Sequence, residues 1–120
     1  MSDEEYMAEA LKEAEIAMSE DEVPIGCIIV YERQIIARTH NQKETLKKAT
    51  GHAEILAINQ ASEYLDLWHL DGCTMYVTLE PCMMCMGAIV NSRIRKIYIG
   101  ALDPKTGSCK SVINLSLIHI

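Results

Sequence analysis

Two short segments hold the residues that could do chemistry: Gly51-His52-Ala53-Glu54 and Pro81-Cys82-Met83-Met84-Cys85. Cysteines three apart on the first turn of a helix can aim both sulfurs at one point, and the positive end of that helix favours their thiolate forms. His52, from a second helix, would complete a set of three ligands. That set leaves the fourth position of a tetrahedral zinc open; a structural site would close it with another ligand, and the chain contains no second Cys-x-x-Cys. Zinc held in this way brings the pKa of water down to about 7. Glu54, two positions after His52, projects to a different side and is expected to act as a proton shuttle. It would take a proton from water, deliver it to a ring nitrogen as hydroxide attacks an amino-bearing carbon, and then protonate the departing amine. Taken singly, the pieces have duller readings: the cysteines could be a redox pair or two buried thiols, and the histidine a structural one.

The elements that must position these residues follow from hydrophobic periodicity. Tyr6, Met7, Ala10, Leu11, Ala14, Ala17 and Met18 recur at helical spacing, which predicts an amphipathic helix over 3–19 with its acidic face toward water. Short β-branched runs at 25–31 and 34–39, separated by Glu32-Arg33, predict a hairpin, and 40–50 reads as polar loop. From Gly51 the apolar residues Ile55, Leu56, Ile58, Ala61 and Leu65 return to helical spacing, placing His52 and Glu54 on a first turn. Residues 73–79 read as a strand, Pro81 as part of the first turn of the next helix, and 95–101 as a further strand. The expected order αββαβαβ favours a layered α/β sheet with right-handed crossovers between parallel strands.

At 120 residues and 49% hydrophobic content the chain fits one core. It shows no internal repeat, no signal-peptide pattern and no apolar run of the roughly 18 residues a membrane span requires, so a cytoplasmic location is expected. Five cysteines without a secretory signal argue for reduced thiols rather than a disulfide framework, and Cys27, Cys73 and Cys109 read as packing or bystander residues. The net charge of −6 is unevenly spread: residues 1–22 hold nine acidic side chains and one basic, while the remainder holds ten basic and eight acidic. Lys43/Lys47/Lys48, Arg93/Arg95/Lys96 and Lys105/Lys110 form weak basic clusters, compatible with RNA, although solvated faces explain them more simply.

His-x-Glu opening one helix and Pro-Cys-x-x-Cys opening the next resembles the zinc-dependent base deaminases. The surrounding residues narrow the resemblance. Glu22-Val23-Pro24-Ile25-Gly26, Arg38-Thr39-His40-Asn41, Thr78-Leu79-Glu80-Pro81-Cys82, Met86-Gly87-Ala88-Ile89-Val90, Tyr98-Ile99-Gly100-Ala101 and Asp103-Pro104-Lys105-Thr106-Gly107 follow in order. Over about residues 5–114 the chain resembles the bacterial tRNA-specific adenosine deaminase family. The resemblance implies a three-layer α/β/α cytidine-deaminase-like fold with a mixed sheet. It also implies one Zn2+ per subunit on His52, Cys82 and Cys85, Glu54 as the catalytic residue, and a homodimer that converts the wobble adenosine of a tRNA anticodon loop to inosine. An unpaired loop base suits this chemistry because it can be splayed into a pocket at small unstacking cost. By the same resemblance Asn41 and the Ala53 backbone N–H would contact the purine, with Val23, Pro24 and Ile25 forming an apolar wall. Residue type alone would read Asn41 as loop-forming and Ile25 as core. Met83 and Met84 read first as packing residues, and His40 and His69 receive no role.

The resemblance stops after Asn114, where the family continues with a fifth strand and C-terminal helices. Residues 115–120 can be encoded by a nucleotide sequence that resembles a transposon-end adapter used in preparing sequencing libraries. They are read as a non-native tail behind a deaminase domain at 1–114. Loss of the C-terminal elements would leave the 95–101 strand with an exposed edge. Two alternatives stand beside the leading one: a guanine, cytosine or deoxycytidylate deaminase, and a zinc-stabilised RNA-binding or dimerisation module without turnover.

Overall fold

Ser2 starts the first helix by accepting from the Glu5 N–H while the Glu5 carboxylate accepts from the Ser2 N–H, a reciprocal cap that satisfies two of the helix's free donors. The structure, a computed structural model, describes residues 1–102 and the backbone of 118–119. Its elements are α1 (Asp3–Ser19), β1 (Gly26–Tyr31), β2 (Gln34–His40), α2 (Lys43–Leu46), α3 (Ala53–Leu65), β3 (Thr74–Val77), α4 (Met83–Asn91), β4 (Lys96–Ile99) and β5 (Ile118–His119). The hairpin turns at Glu32 and Arg33, both at positive φ (50° and 66°), as a tight turn matched to strand twist requires. Among the described residues no helix is long and apolar enough to cross a membrane.

The strands form one mixed sheet in the order β2-β1-β3-β4-β5. β1 pairs antiparallel with β2 and β3, whereas β3–β4 and β4–β5 are parallel. Helices lie on both faces, which explains why Gly26–Val30 of β1 are all buried instead of alternating. α1 covers one face, where Tyr6 and Ala10 pack on Ile28, Val30 and Tyr76. α3 and α4 cover the other, where Ala53, Ala57, Ala61, Met86 and Ile89 pack on Cys27, Ile29, Met75, Val77 and Ile97. This is the expected three-layer α/β/α arrangement.

Several expectations are corrected in detail. The buried face of α1 is Tyr6, Ala10, Glu13, Ala14 and Ala17, with Leu11 and Met18 exposed. A stripe of alanines, not the larger apolar residues, lets α1 lie directly on Gly26, and Glu13 is drawn inside by a polar partner described below. The 40–50 stretch contains the short helix α2. Pro81 precedes α4, whose N-cap is Cys82. A two-residue strand, β5, lies parallel to β4 opposite Ile97 and Tyr98, where the sequence reading left an open edge. Among the described residues no helix follows β4. Asp103–Gly107, Cys109, Lys105, Lys110 and 115–117 lie outside the described residues.

The α1–β1 contact gives a direct test. A Cβ at Gly26 would sit 1.9 Å from the Ala10 carbonyl oxygen and 2.6 Å from the Ala14 nitrogen, both backbone atoms. Gly26→Ala is therefore expected to cost at least about 2 kcal/mol, in the upper part of the overpacking range. Urea denaturation reads this as a lower midpoint at unchanged slope; an unshifted midpoint would show that α1 can lift away without loss.

Candidate active site

His52 and Cys82 are the N-caps of α3 and α4, and Cys85 lies on the first turn of α4. Two helix starts thus converge, each with its positive end toward the same point. His52 Nδ1 lies 3.7 Å from Cys82 Sγ and 3.5 Å from Cys85 Sγ, and the three donor atoms fall within 4.8 Å of one another. Among the described residues this is the group of His, Cys, Asp and Glu side chains able to hold a metal ion. The structure brings together the three side chains that the spacing singled out, with His52 and Cys82 capping their helices instead of lying within the first turn.

A hydrogen bond from Cys85 holds Cys82 down to about 5, helped by free amides of the helix start, and that same bond together with burial drives Cys85 upward. Glu54 is 3% exposed, and its Oε1 is buried with no hydrogen-bond partner. Burial pushes its carboxyl up to about 7. The unpaired Oε1 faces a site bordered by the His52, Cys82 and Cys85 donors, which leaves one lone-pair end of this carboxyl open to a proton.

The residues that the resemblance would assign to the substrate are Asn41, Ala53, Val23 and Pro24. Asn41 is buried and Ala53 fully so, while Val23 and Pro24 are exposed. Asn41 Oδ1 accepts from the Lys43 N–H at 3.2 Å, which leaves the amide NH2 as the end able to donate elsewhere. The Ala53 N–H is one of the amides that a helix start leaves without an intrahelical acceptor. Gln42 N–H donates to the Gly51 carbonyl at 2.9 Å, tying the Asn41 segment to the residue before His52. Thr39 Oγ1 donates to the Ala53 carbonyl at 2.7 Å and makes a second tie. Met83 and Met84 are exposed, at 59% and 39%, so they are not the packing residues the sequence reading made them; Met86 fills that place. An open groove of 580 Å³ between the far ends of α3 and α4 contains none of these side chains.

Sequence reasoning missed two residues. His40 places Nδ1 2.9 Å from Glu13 and Nε2 2.8 Å from Glu20. Burial pulls the imidazole's pKa down, but the bonds to Glu13 and Glu20 outweigh it and leave it above its ordinary value. Glu22, 5% exposed, accepts from the Glu44 N–H, the Thr45 N–H and the Thr45 hydroxyl at 3.1, 2.6 and 2.6 Å. Both sets of partners are far apart in sequence, so no local pattern signals them.

A metal-capable His/Cys/Cys set with a buried glutamate, at helix starts above a mixed sheet, is the arrangement of a hydrolytic deaminase. Consistent with this, the MafB19-like deaminase family model matches residues 1–119. The tRNA-specific adenosine deaminase of Bacillus subtilis (strain 168) is 51% identical over 113 residues, covering 94% of this chain and 70% of the relative. That of Aquifex aeolicus (strain VF5) is 50% identical over 115 residues, covering 96% of this chain and 76% of the relative. A structure solved in work on A-to-I editing by tRNA:A34 deaminases at the wobble position superposes with a TM-score of 0.90 at 46% identity, over 92% of this chain and 80% of that one. Guanine deaminase from Bacillus subtilis superposes at 0.83 with 34% identity, over 85% of this chain and 66% of that one. The chain belongs to the tRNA-specific adenosine deaminase family.

Proposed function

We propose that this chain hydrolyses the wobble adenosine of a tRNA anticodon loop to inosine and ammonia, with zinc as the resident ion. The observation that carries the reading is the buried, unpartnered Glu54 Oε1 beside the convergent donors of His52, Cys82 and Cys85. The donor set suits zinc: bonds of about 2.0–2.1 Å to nitrogen and 2.3 Å to sulfur at tetrahedral angles put N and S about 3.6 Å apart. The two N···S separations of 3.5 and 3.7 Å bracket that value.

When bound, zinc supplies the Lewis acidity that makes water a nucleophile near neutral pH. Glu54 takes one proton from the attacking water at its carboxylate and passes it to the purine ring nitrogen, then takes the second from the new hydroxyl on the reacting carbon and delivers it to the amine as the C–N bond breaks. One water is consumed and one ammonia released, with Glu54 restored. Asn41 donates through its amide and Ala53 through its N–H to orient the base, and Val23 and Pro24 line its apolar side. The exposed Met83, Met84 and Val90 of α4 offer apolar area for a homodimer interface near the site. The natural compartment is the bacterial cytoplasm, where tRNA is the partner.

Mass spectrometry of an anticodon stem-loop incubated with zinc-loaded protein tests the reading, with free guanine, cytosine and deoxycytidylate as competitors. Conversion of the loop adenosine, unaffected by the competitors, is the expected result. Turnover of a free base without the loop would instead identify a small-base deaminase, the activity of the structurally similar guanine deaminase.

A further inference from the structure

We propose that His40 and Glu22 are positioning residues that mount Asn41 from its two sides, using three glutamates from α1 and the segment after it. The inference rests on the reading of Asn41 as a base contact. On one side, His40 ends β2 immediately before Asn41, and its two ring nitrogens meet Glu13 and Glu20 at 2.9 and 2.8 Å. A neutral imidazole has one N–H to donate, so satisfying both carboxylates takes the doubly protonated ring. The charged groups facing it are Glu13 of α1 and Glu20, the residue that caps α1's C-terminus, with Glu22 also close enough to interact. Its partner across β1 is Gly26, which brings no side chain.

On the other side, Gln42 makes no side-chain cap for α2. Glu22 supplies the missing cap from outside the helix by accepting from two α2 backbone amides and the Thr45 hydroxyl. Asn41 lies between these anchors, and its Oδ1 is bonded to the first residue of α2, Lys43. The amide's direction is thus set by where β2 ends and where α2 begins, and both points are fixed to the same acidic segment. An acidic tract beside an RNA-modifying site is electrostatically unfavourable toward phosphate. Three of its carboxylates are consumed in holding the purine-facing side chain.

The test is steady-state kinetics on an anticodon stem-loop with His40→Gln, Glu22→Gln and Asn41→Ala, alone and combined, each checked for wild-type zinc content. Each mount variant is expected to raise KM about tenfold, as loss of a charge-assisted hydrogen bond would, with kcat changed by less than about twofold. In the Asn41→Ala background the same variants should add almost nothing, because they act through the residue already removed. Full additivity, or a fall in kcat at unchanged KM, overturns the mount and assigns these residues a general structural role. If Asn41→Ala alone leaves KM unchanged, Asn41 is not a base contact, and the underlying reading fails along with the mount. Imidazole 15N NMR gives an independent readout: both His40 nitrogens should carry protons at pH 7, and a single-tautomer spectrum sinks the clamp.

Discussion

Glu54→Gln is expected to lower turnover of the stem-loop by at least about 10³-fold, within the range for removing a general acid–base group, while zinc remains bound. Glutamine keeps the volume and hydrogen-bonding shape of the side chain but cannot carry a proton between water, ring nitrogen and amine. Metal analysis separates this from loss of the site, since His52, Cys82 and Cys85 are untouched. Retention of more than a tenth of wild-type activity would show that another group moves the proton. The same substitution should stabilise the metal-free protein. The folded-state pKa of Glu54 is raised from 4.5 to about 7, so below pH 4.5 the carboxyl is protonated folded or unfolded and contributes no penalty. The penalty grows between those values and is complete above pH 7, reaching about 3 kcal/mol by linkage. A higher Tm for Glu54→Gln at pH 8 and an equal Tm at pH 4 are the expected pattern. Equal Tm values at both would mean that Glu54 ionises freely in the fold.

Cys85→Ala should remove the metal outright. It is the most buried of the three donors and lies on α4's first turn. Zinc affinity should fall by more than the roughly 10–100-fold that follows even from disturbing groups behind a ligand. Titrating zinc against thermal unfolding measures this directly. Wild-type protein at about a hundred times its dissociation constant gains about 2.7 kcal/mol, and the variant should gain none at the same concentration. One equivalent of zinc retained by Cys85→Ala would remove this cysteine from the ligand set.

The candidate metal-binding group was legible because its geometry is local: the two cysteines share one helical turn, and the His-x-Glu pair opens a helix whose apolar period is plain in the sequence. The sheet was legible for a similar reason, since short β-branched runs alternate with helical ones. His40 was not legible, because its partners Glu13 and Glu20 lie 27 and 20 residues away, on and just after a helix whose acidic side reads as solvated. Glu22 was hidden in the same way, with its partners across the strand pair in a stretch too short and polar to read as a helix. Met83 and Met84 were misplaced because their apolar character says nothing about which side of α4 meets the sheet. The Ile118–His119 strand is not legible from a tail that reads as foreign, because a β ladder is made by backbone and needs no native side chains.

The strand order also bears on how the site is assembled. β1 sits between β2 and β3, and β3 reaches it only after the chain has passed through α2 and α3. His52 enters α3 after β2, whereas Cys82 enters α4 after β3. The donors therefore meet only once this long-range pairing has formed, the slow kind of contact in folding. Binding of a metal by all three donors is therefore expected to follow the docking of β3 on β1, and the rate at which freshly diluted chains acquire it would report that docking.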